Sequence, residues 1–225
     1  SVLVEGINRL ERLPYIRLTD RPERLLLAQA AATNSLYNTL KSISRCDNLV
    51  YSEIVTSRLP LPGRDQPLEV LRFDYAMKSD QDIANALESG KGDTLPATIL
   101  SAVKAEIRQT DPDFDMSQLE FLLKMLWVNN STYVSVSHIE RLARVMSMYQ
   151  HTQANGGIYL DIQPLSAQEG NEAARVMFGV SNPPQRDFLI QVFEVFKRLN
   201  IGIKRSYTVT ISNGVYPTFL ATFYV

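Results

Sequence analysis

Apolar and polar positions change their period several times along the 225 residues, and each change marks an element. Residues 20–23, Asp-Arg-Pro-Glu, read as a helix start: Asp20 can cap free amides, Pro22 suits a first turn, and Glu23 takes the capping-box position. That helix is expected to run to about Ser44. Residues 49–58 (LVYSEIVTSR) and 68–76 (LEVLRFDYA) are rich in β-formers and separated by Pro60, Pro62 and Gly63, which predicts a hairpin.

From 79 to about 152 the pattern is helical. Ser79 and Asp82 have capping-box spacing ahead of Ile83, Ala84, Ala86 and Leu87. Thr94 and Pro96 open a second helix with Ile99, Leu100, Val103 and Ile107 on one side, and Pro112 forbids its continuation. Leu119, Leu122, Leu123 and Leu126 follow the i, i+3, i+4, i+7 spacing of a buried stripe. Ser137 and Glu140 set up a further capping box before Ile139, Leu142, Val145, Met146 and Tyr149, and Asn155-Gly156-Gly157 ends that helix.

The period then falls to two. Ile158, Leu160 and Ile162 alternate with Tyr159, Asp161 and Gln163, and Val176, Phe178 and Val180 mark a second strand before Asn182-Pro183-Pro184. A helix over 184–200 carries Phe188, Val192, Val195 and Leu199, widened by Leu189, Phe193 and Phe196. Two further strands flank Asn213-Gly214, the preferred type I′ pair, so Ser212 is expected opposite Val215, Val209 opposite Thr218, and Ile203 opposite Tyr224. The face bearing Tyr207, Val209 and Leu220 is expected to meet helix 184–200. The other face carries Phe219, Ala221 and Phe223, too apolar for a solvated sheet, so Phe219 and Phe223 are candidate interface residues. Their expected cover is a partner, or a helix and strand following the abrupt apolar end at Val225. The fold class is α+β: an N-terminal β-hairpin segment (1–78), a helical block (79–156) and a C-terminal strand-helix-strand-strand unit (157–225).

Composition narrows the function classes. Lys+Arg number 23 against 24 Asp+Glu, so no broad field draws the chain to nucleic acid or to an anionic membrane. The apolar run 119–128 falls well short of the about 20 residues that a bilayer span needs. One cysteine, Cys46, excludes an internal disulfide, and a cytoplasmic protein is the expectation. Cys46 beside Arg45 reads as structural rather than nucleophilic. His138 and His151 lack ligand partners at metal spacing, and Asp111, Asp113 and Asp115 lack the Gly and Glu of a calcium loop, so capping is their reading. No catalytic, metal or cofactor site is assigned.

The strand, helix, strand, strand order resembles the first part of an ACT domain, an incomplete ferredoxin-like βαββ unit. The run RVMFGVSNPPQRDFLIQVFEVFKRLNIGIKRSYTVTISNGVYPTFLATFYV resembles the ACT-like region of the large NAD-dependent glutamate dehydrogenases. LLKMLWVNNSTYV and RLARVMSMYQ resemble the N-terminal extension of the same enzymes, and the likeness is sharpest from about residue 117 onward. It implies a non-catalytic regulatory and assembly region, with NAD and glutamate chemistry in a downstream catalytic domain of the same chain, a homo-oligomer, and an amino-acid effector. A dinucleotide site needs a glycine fingerprint after a strand, and these residues carry none. Asn182-Pro183-Pro184-Gln185 resembles the effector turn of amino-acid-binding ACT domains, where Asn182, Gln185 and Arg186 could hold a carboxylate at a helix start. The alternative for Asn182 is a helix cap. Two other classes remain open: a free-standing amino-acid sensor, and a purely structural oligomerisation domain.

Overall fold

The computed structural model describes residues 15–32, 35–43, 49–60, 65–90, 94–166, 172–184 and 188–225. They form an α+β fold with eight strands and six helices: β1 (Tyr15–Arg21), β2 (Arg24–Ala30), α1 (Ser35–Ser42), β3 (Leu49–Thr56), β4 (Leu68–Tyr75), α2 (Asp80–Ser89), α3 (Ala97–Thr110), α4 (Leu119–Val136), α5 (Ile139–Ala154), β5 (Ile158–Pro164), β6 (Ala174–Ser181), α6 (Phe188–Arg198), β7 (Arg205–Ser212) and β8 (Pro217–Tyr224). All eight strands join one antiparallel sheet in the order β1-β2-β4-β3-β7-β8-β6-β5.

That order reads the same from either end once β1 is matched with β5, β2 with β6, β4 with β8 and β3 with β7. Each half is a hairpin followed by a split βαβ unit: β2-α1-β3 straddles β4, as β6-α6-β7 straddles β8. The halves meet where β3 and β7 pair antiparallel, Ser52 opposite Thr208, so a pseudo-twofold axis passes through the sheet there. At that seam the Ser52 and Thr208 hydroxyls hydrogen-bond at 2.6 Å in the core. The helical block α2–α5 is inserted between the halves in sequence.

The sheet has two covered faces. On one, α1 and α6 pack side by side, and Leu36, Leu40, Leu189 and Phe193 close over Leu27, Ile54, Leu71 and Phe73. On the other, α4 and α5 set Leu123, Leu126, Leu142 and Met146 against Tyr51, Met177, Val209, Ile211 and Leu220. Among the described residues no helix is long and apolar enough to cross a membrane.

Much of the expected local structure is present. The 49–58 and 68–76 segments pair as β3 and β4. Ser79 caps α2, and Asp82 closes the box by accepting from the Ser79 amide at 3.1 Å. Asp115 accepts from the Ser117 amide at 3.0 Å in the turn before α4, but the N-cap of that helix is Gln118 and it has no side-chain cap bond, so Asp115 shapes the turn and does not cap the helix.

Four expectations fail. Residues 20–44 are not one helix: Pro22 and Glu23 turn a hairpin closed by Arg21 opposite Arg24, and β2 is held by β4, whose residues lie 38 to 50 positions away. The Ser137–Glu140 box does not form; α5 starts at Ile139 with His138 at its N-cap and no side-chain cap bond. The last hairpin is shifted by two residues, with Ser212 opposite Pro217 and Val209 opposite Leu220. Asn129 on α4 holds both the amide and the carbonyl of Ser212, and the Asn213 carboxamide accepts from the Val215 and Tyr216 amides, so the loop takes four residues instead of two.

The fourth concerns the candidate interface. Helix α6 packs on the Phe219, Ala221, Phe223 face, and the Val209, Leu220 face belongs to the helical block. Phe223 is 0% exposed and Phe219 6%, so their cover is this chain's own helix. Phe193 meets Phe223 edge-on at 5.5 Å, and Phe188 meets Phe219 at 5.1 Å. The buried stripe of α6 is Leu189 and Phe193, while Val195 and Leu199 point outward.

Candidate functional site

The pseudo-twofold arrangement produces two clefts on the α1–α6 side, each at a strand-to-helix turn. The first, about 540 Å³, lies between the turn Pro183, Pro184, Phe188, the start of β8 at Pro217, and the start of β3 at Leu49. The second, about 300 Å³, lies between the turn Ala32, Ser35, Leu36, the start of β4 at Glu69, and Ile203 just ahead of β7. Equivalent elements of the two halves build the two walls, with the opposite half supplying the third side.

In the first cleft the polar groups are largely committed to one another. The Ser212 hydroxyl donates to Asp80 at 2.6 Å, and the Lys78 ammonium donates to the Val128 carbonyl at 2.8 Å. Thr208 and Thr210 from β7 and Phe188 and Phe219 supply the rest of the surface. The effector turn expected at Asn182 borders this cleft through Pro183 and Pro184. Asn182 itself is exposed, adopts a left-handed φ of 50° that suits Asn, and donates its amide to the Pro217 carbonyl at 2.7 Å. It lies six positions before the described start of α6. Gln185 and Arg186 lie outside the described residues, as does Cys46.

The second cleft has a charged floor that the sequence reading missed. Glu69 is buried at the start of β4 and accepts from Gln29 at 2.6 Å and from Ser35 at 2.9 Å, while Thr39 donates to Gln29 from α1. Burial pushes the Glu69 carboxyl above the usual range, only partly offset by those two donors. Opposite stand Lys197, its ammonium 4.2 Å over the Tyr37 ring, and Asn200. A carboxyl, a hydroxyl and an ammonium thus line one small cavity. The signal available in sequence was Glu69 on the buried side of an alternating strand, legible only once β2 and α1 were placed correctly.

The raised acid has a measurable consequence. A carboxyl whose folded pKa exceeds its unfolded value favours folding fully below the unfolded pKa, and that contribution is lost as pH rises through the folded pKa. Glu69→Gln is therefore expected to remove a loss of stability that the native chain shows as pH is raised above about 4.5. Urea midpoints measured from pH 4 to 8 for both proteins check this, the difference curve rising with pH.

His151 pairs with Asp111 at 3.0 Å and stacks on Tyr159, and among the described residues no group of His, Cys, Asp and Glu is placed to hold a metal. Among the described glycines, Gly156 and Gly157 take positive φ after α5, Gly214 does so in the last hairpin, and Gly179 lies against Thr152. No family model matches the chain, and no curated protein matches it.

Proposed function

We propose that this chain is the non-catalytic regulatory and assembly region of a large NAD-dependent glutamate dehydrogenase, built from two ACT-like halves that bind an amino-acid effector. The observation that carries the reading is the split unit β6-α6-β7-β8, which falls on the very residues whose sequence resembles the ACT-like region of those enzymes. The same topology in β2-α1-β3-β4 extends the likeness to the first half, where the sequence carries little of it. In this reading the parent reaction converts L-glutamate, NAD and water to 2-oxoglutarate, ammonia and NADH, and NAD is held by the downstream catalytic domain.

Effector binding rests on the second cleft: Glu69 and Ser35 take the ammonium end of an amino acid and Lys197 its carboxylate. Assembly rests on the edge strand β5, whose Ile158, Leu160 and Ile162 are 65%, 64% and 59% exposed in one row. A homo-oligomer joined along that edge would bury them.

The reading frame around this segment tests the assignment. Continuation into a strand followed by a dinucleotide glycine fingerprint is the expected result, and a stop directly after Val225 would sink it, leaving the free-standing amino-acid sensor as the better reading.

A further inference from the structure

At one end of the face covered by the helical block, four arginines gather around two tyrosines. Tyr224 on β8 is flanked by Arg175 on β6 and Arg205 on β7, its direct partners in the sheet. The Arg205 guanidinium lies 4.2 Å over the Tyr224 ring, and Arg144 reaches from α5 to donate to the Tyr224 hydroxyl at 3.3 Å. Arg141, one turn earlier, stacks at 3.8 Å on Tyr207, which meets Tyr224 edge-on.

The charges do not balance pair by pair. Glu53 answers Arg141 at 3.6 Å and Glu172 answers Arg205 at 2.9 Å. Among the described residues no carboxylate pairs with Arg144 or Arg175. Arg175 donates to the neutral Gln163 amide, and that amide, not the guanidinium, reaches Asp161. Among the described residues the buried Arg175 Nε has no hydrogen-bond partner. Glu140, also on α5, acts on Arg144 only at a distance, and burial together with Arg175 pulls the Arg144 guanidinium below its ordinary value. Both arginines on α5 stand in its first two turns, where the helix dipole adds positive potential. A mostly buried guanidinium without a counter-charge is costly to the fold and calls for one from outside.

We propose that Arg144, Arg175 and the Tyr224 hydroxyl form an oxyanion site for a doubly charged phosphate group, free or carried on a small metabolite. Two guanidinium groups that no described carboxylate pairs with match a dianion in charge, and the planar fork of a guanidinium suits phosphate oxygens. The gap lined by Arg141, Arg144 and Thr222 holds only about 10 Å³ and is too small for the anion, which the site takes outside it.

Thermal unfolding of the whole chain in inorganic phosphate, against chloride at equal ionic strength, tests the site. The expected result is a rise in midpoint with phosphate that is saturable and at least halved in both Arg144→Gln and Arg175→Gln. In chloride alone those variants are expected to unfold no earlier than the native protein, since each removes a charge that no described carboxylate pairs with. Glycerol phosphate is the second arm: a larger shift than with inorganic phosphate assigns the site to a phosphorylated metabolite, and an equal shift assigns it to free phosphate. No phosphate-dependent shift, or an equal shift in the variants, would overturn the proposal. So would a shift produced as strongly by acetate, which carries a single charge. Binding of phosphate followed by calorimetry on Arg175→Gln, a strand residue away from the helix, keeps the test valid if Arg144→Gln misfolds: unchanged binding there also overturns the site.

Discussion

Replacing Phe223 with alanine is expected to lower the unfolding free energy by about 3–5 kcal/mol, the range for truncating a large aromatic in a core. Phe223 is fully buried and touches three other rings: Phe178 stacked at 5.7 Å, Phe193 edge-on at 5.5 Å and Phe196 at 4.7 Å. Those rings come from β6 and α6, so the cavity would open where the crossover helix meets its sheet and could not collapse without moving the helix. Urea unfolding checks it: the midpoint falls while the slope is unchanged. An effect under about 1 kcal/mol together with a change in oligomeric mass would return Phe223 to the surface role first expected of it.

Gly179→Ala is expected to cost about 1–3 kcal/mol, although it adds one methyl group. A Cβ at Gly179 would stand 2.0 Å from the Thr152 hydroxyl and 2.9 Å from Leu220. Thr152 cannot swing aside freely, because it is fully buried and its hydroxyl donates to the Met148 carbonyl at 2.6 Å. The close approach of α5 to β6 therefore depends on the missing side chain. Thr152→Ala in the same chain should recover part of the loss, giving a coupling of about 1 kcal/mol in a double-mutant cycle of urea midpoints. Independent, additive effects would mean that α5 sits farther from the sheet.

Where an element is set by its own residues, the sequence displayed it. The Ser79–Asp82 box, the leucine stripe of α4 and the alternation of β5 all depend on neighbours within one turn or one strand. The errors arise where distant partners decide. Asp20-Arg21-Pro22-Glu23 fits a helix start and a tight hairpin equally well, and only pairing with β4 makes 24–30 a strand. Asn213-Gly214 favours a two-residue turn, yet contacts from Asn129 and Asp80 end β7 at Ser212. The two-residue slip preserved which side chains share a face, so Val209 and Leu220 were correctly grouped and Phe219 and Phe223 correctly set opposite them. What alternation does not tell is which face receives the crossover helix, since both faces of β8 are apolar.

The duplication escaped notice for a related reason. The repeated units share a path through space without a shared residue pattern, and a helical block of four helices separates them in the chain. Pro183 and Pro184 of the candidate effector turn line one cleft, and a second cavity lies at the equivalent turn of the first half, around Glu69. Its three polar groups come from β4, α1 and α6, whose meeting is a product of the pseudo-twofold axis.

Calorimetric titration of the chain with the twenty amino acids, run in parallel on the native protein and on Glu69→Gln, decides whether the Glu69 cleft binds an effector. Saturable heat is expected with at least one amino acid, together with its loss in the variant, which should remain folded by circular dichroism. Flat traces across the whole set with the native protein, or binding that Glu69→Gln leaves untouched, would contradict it.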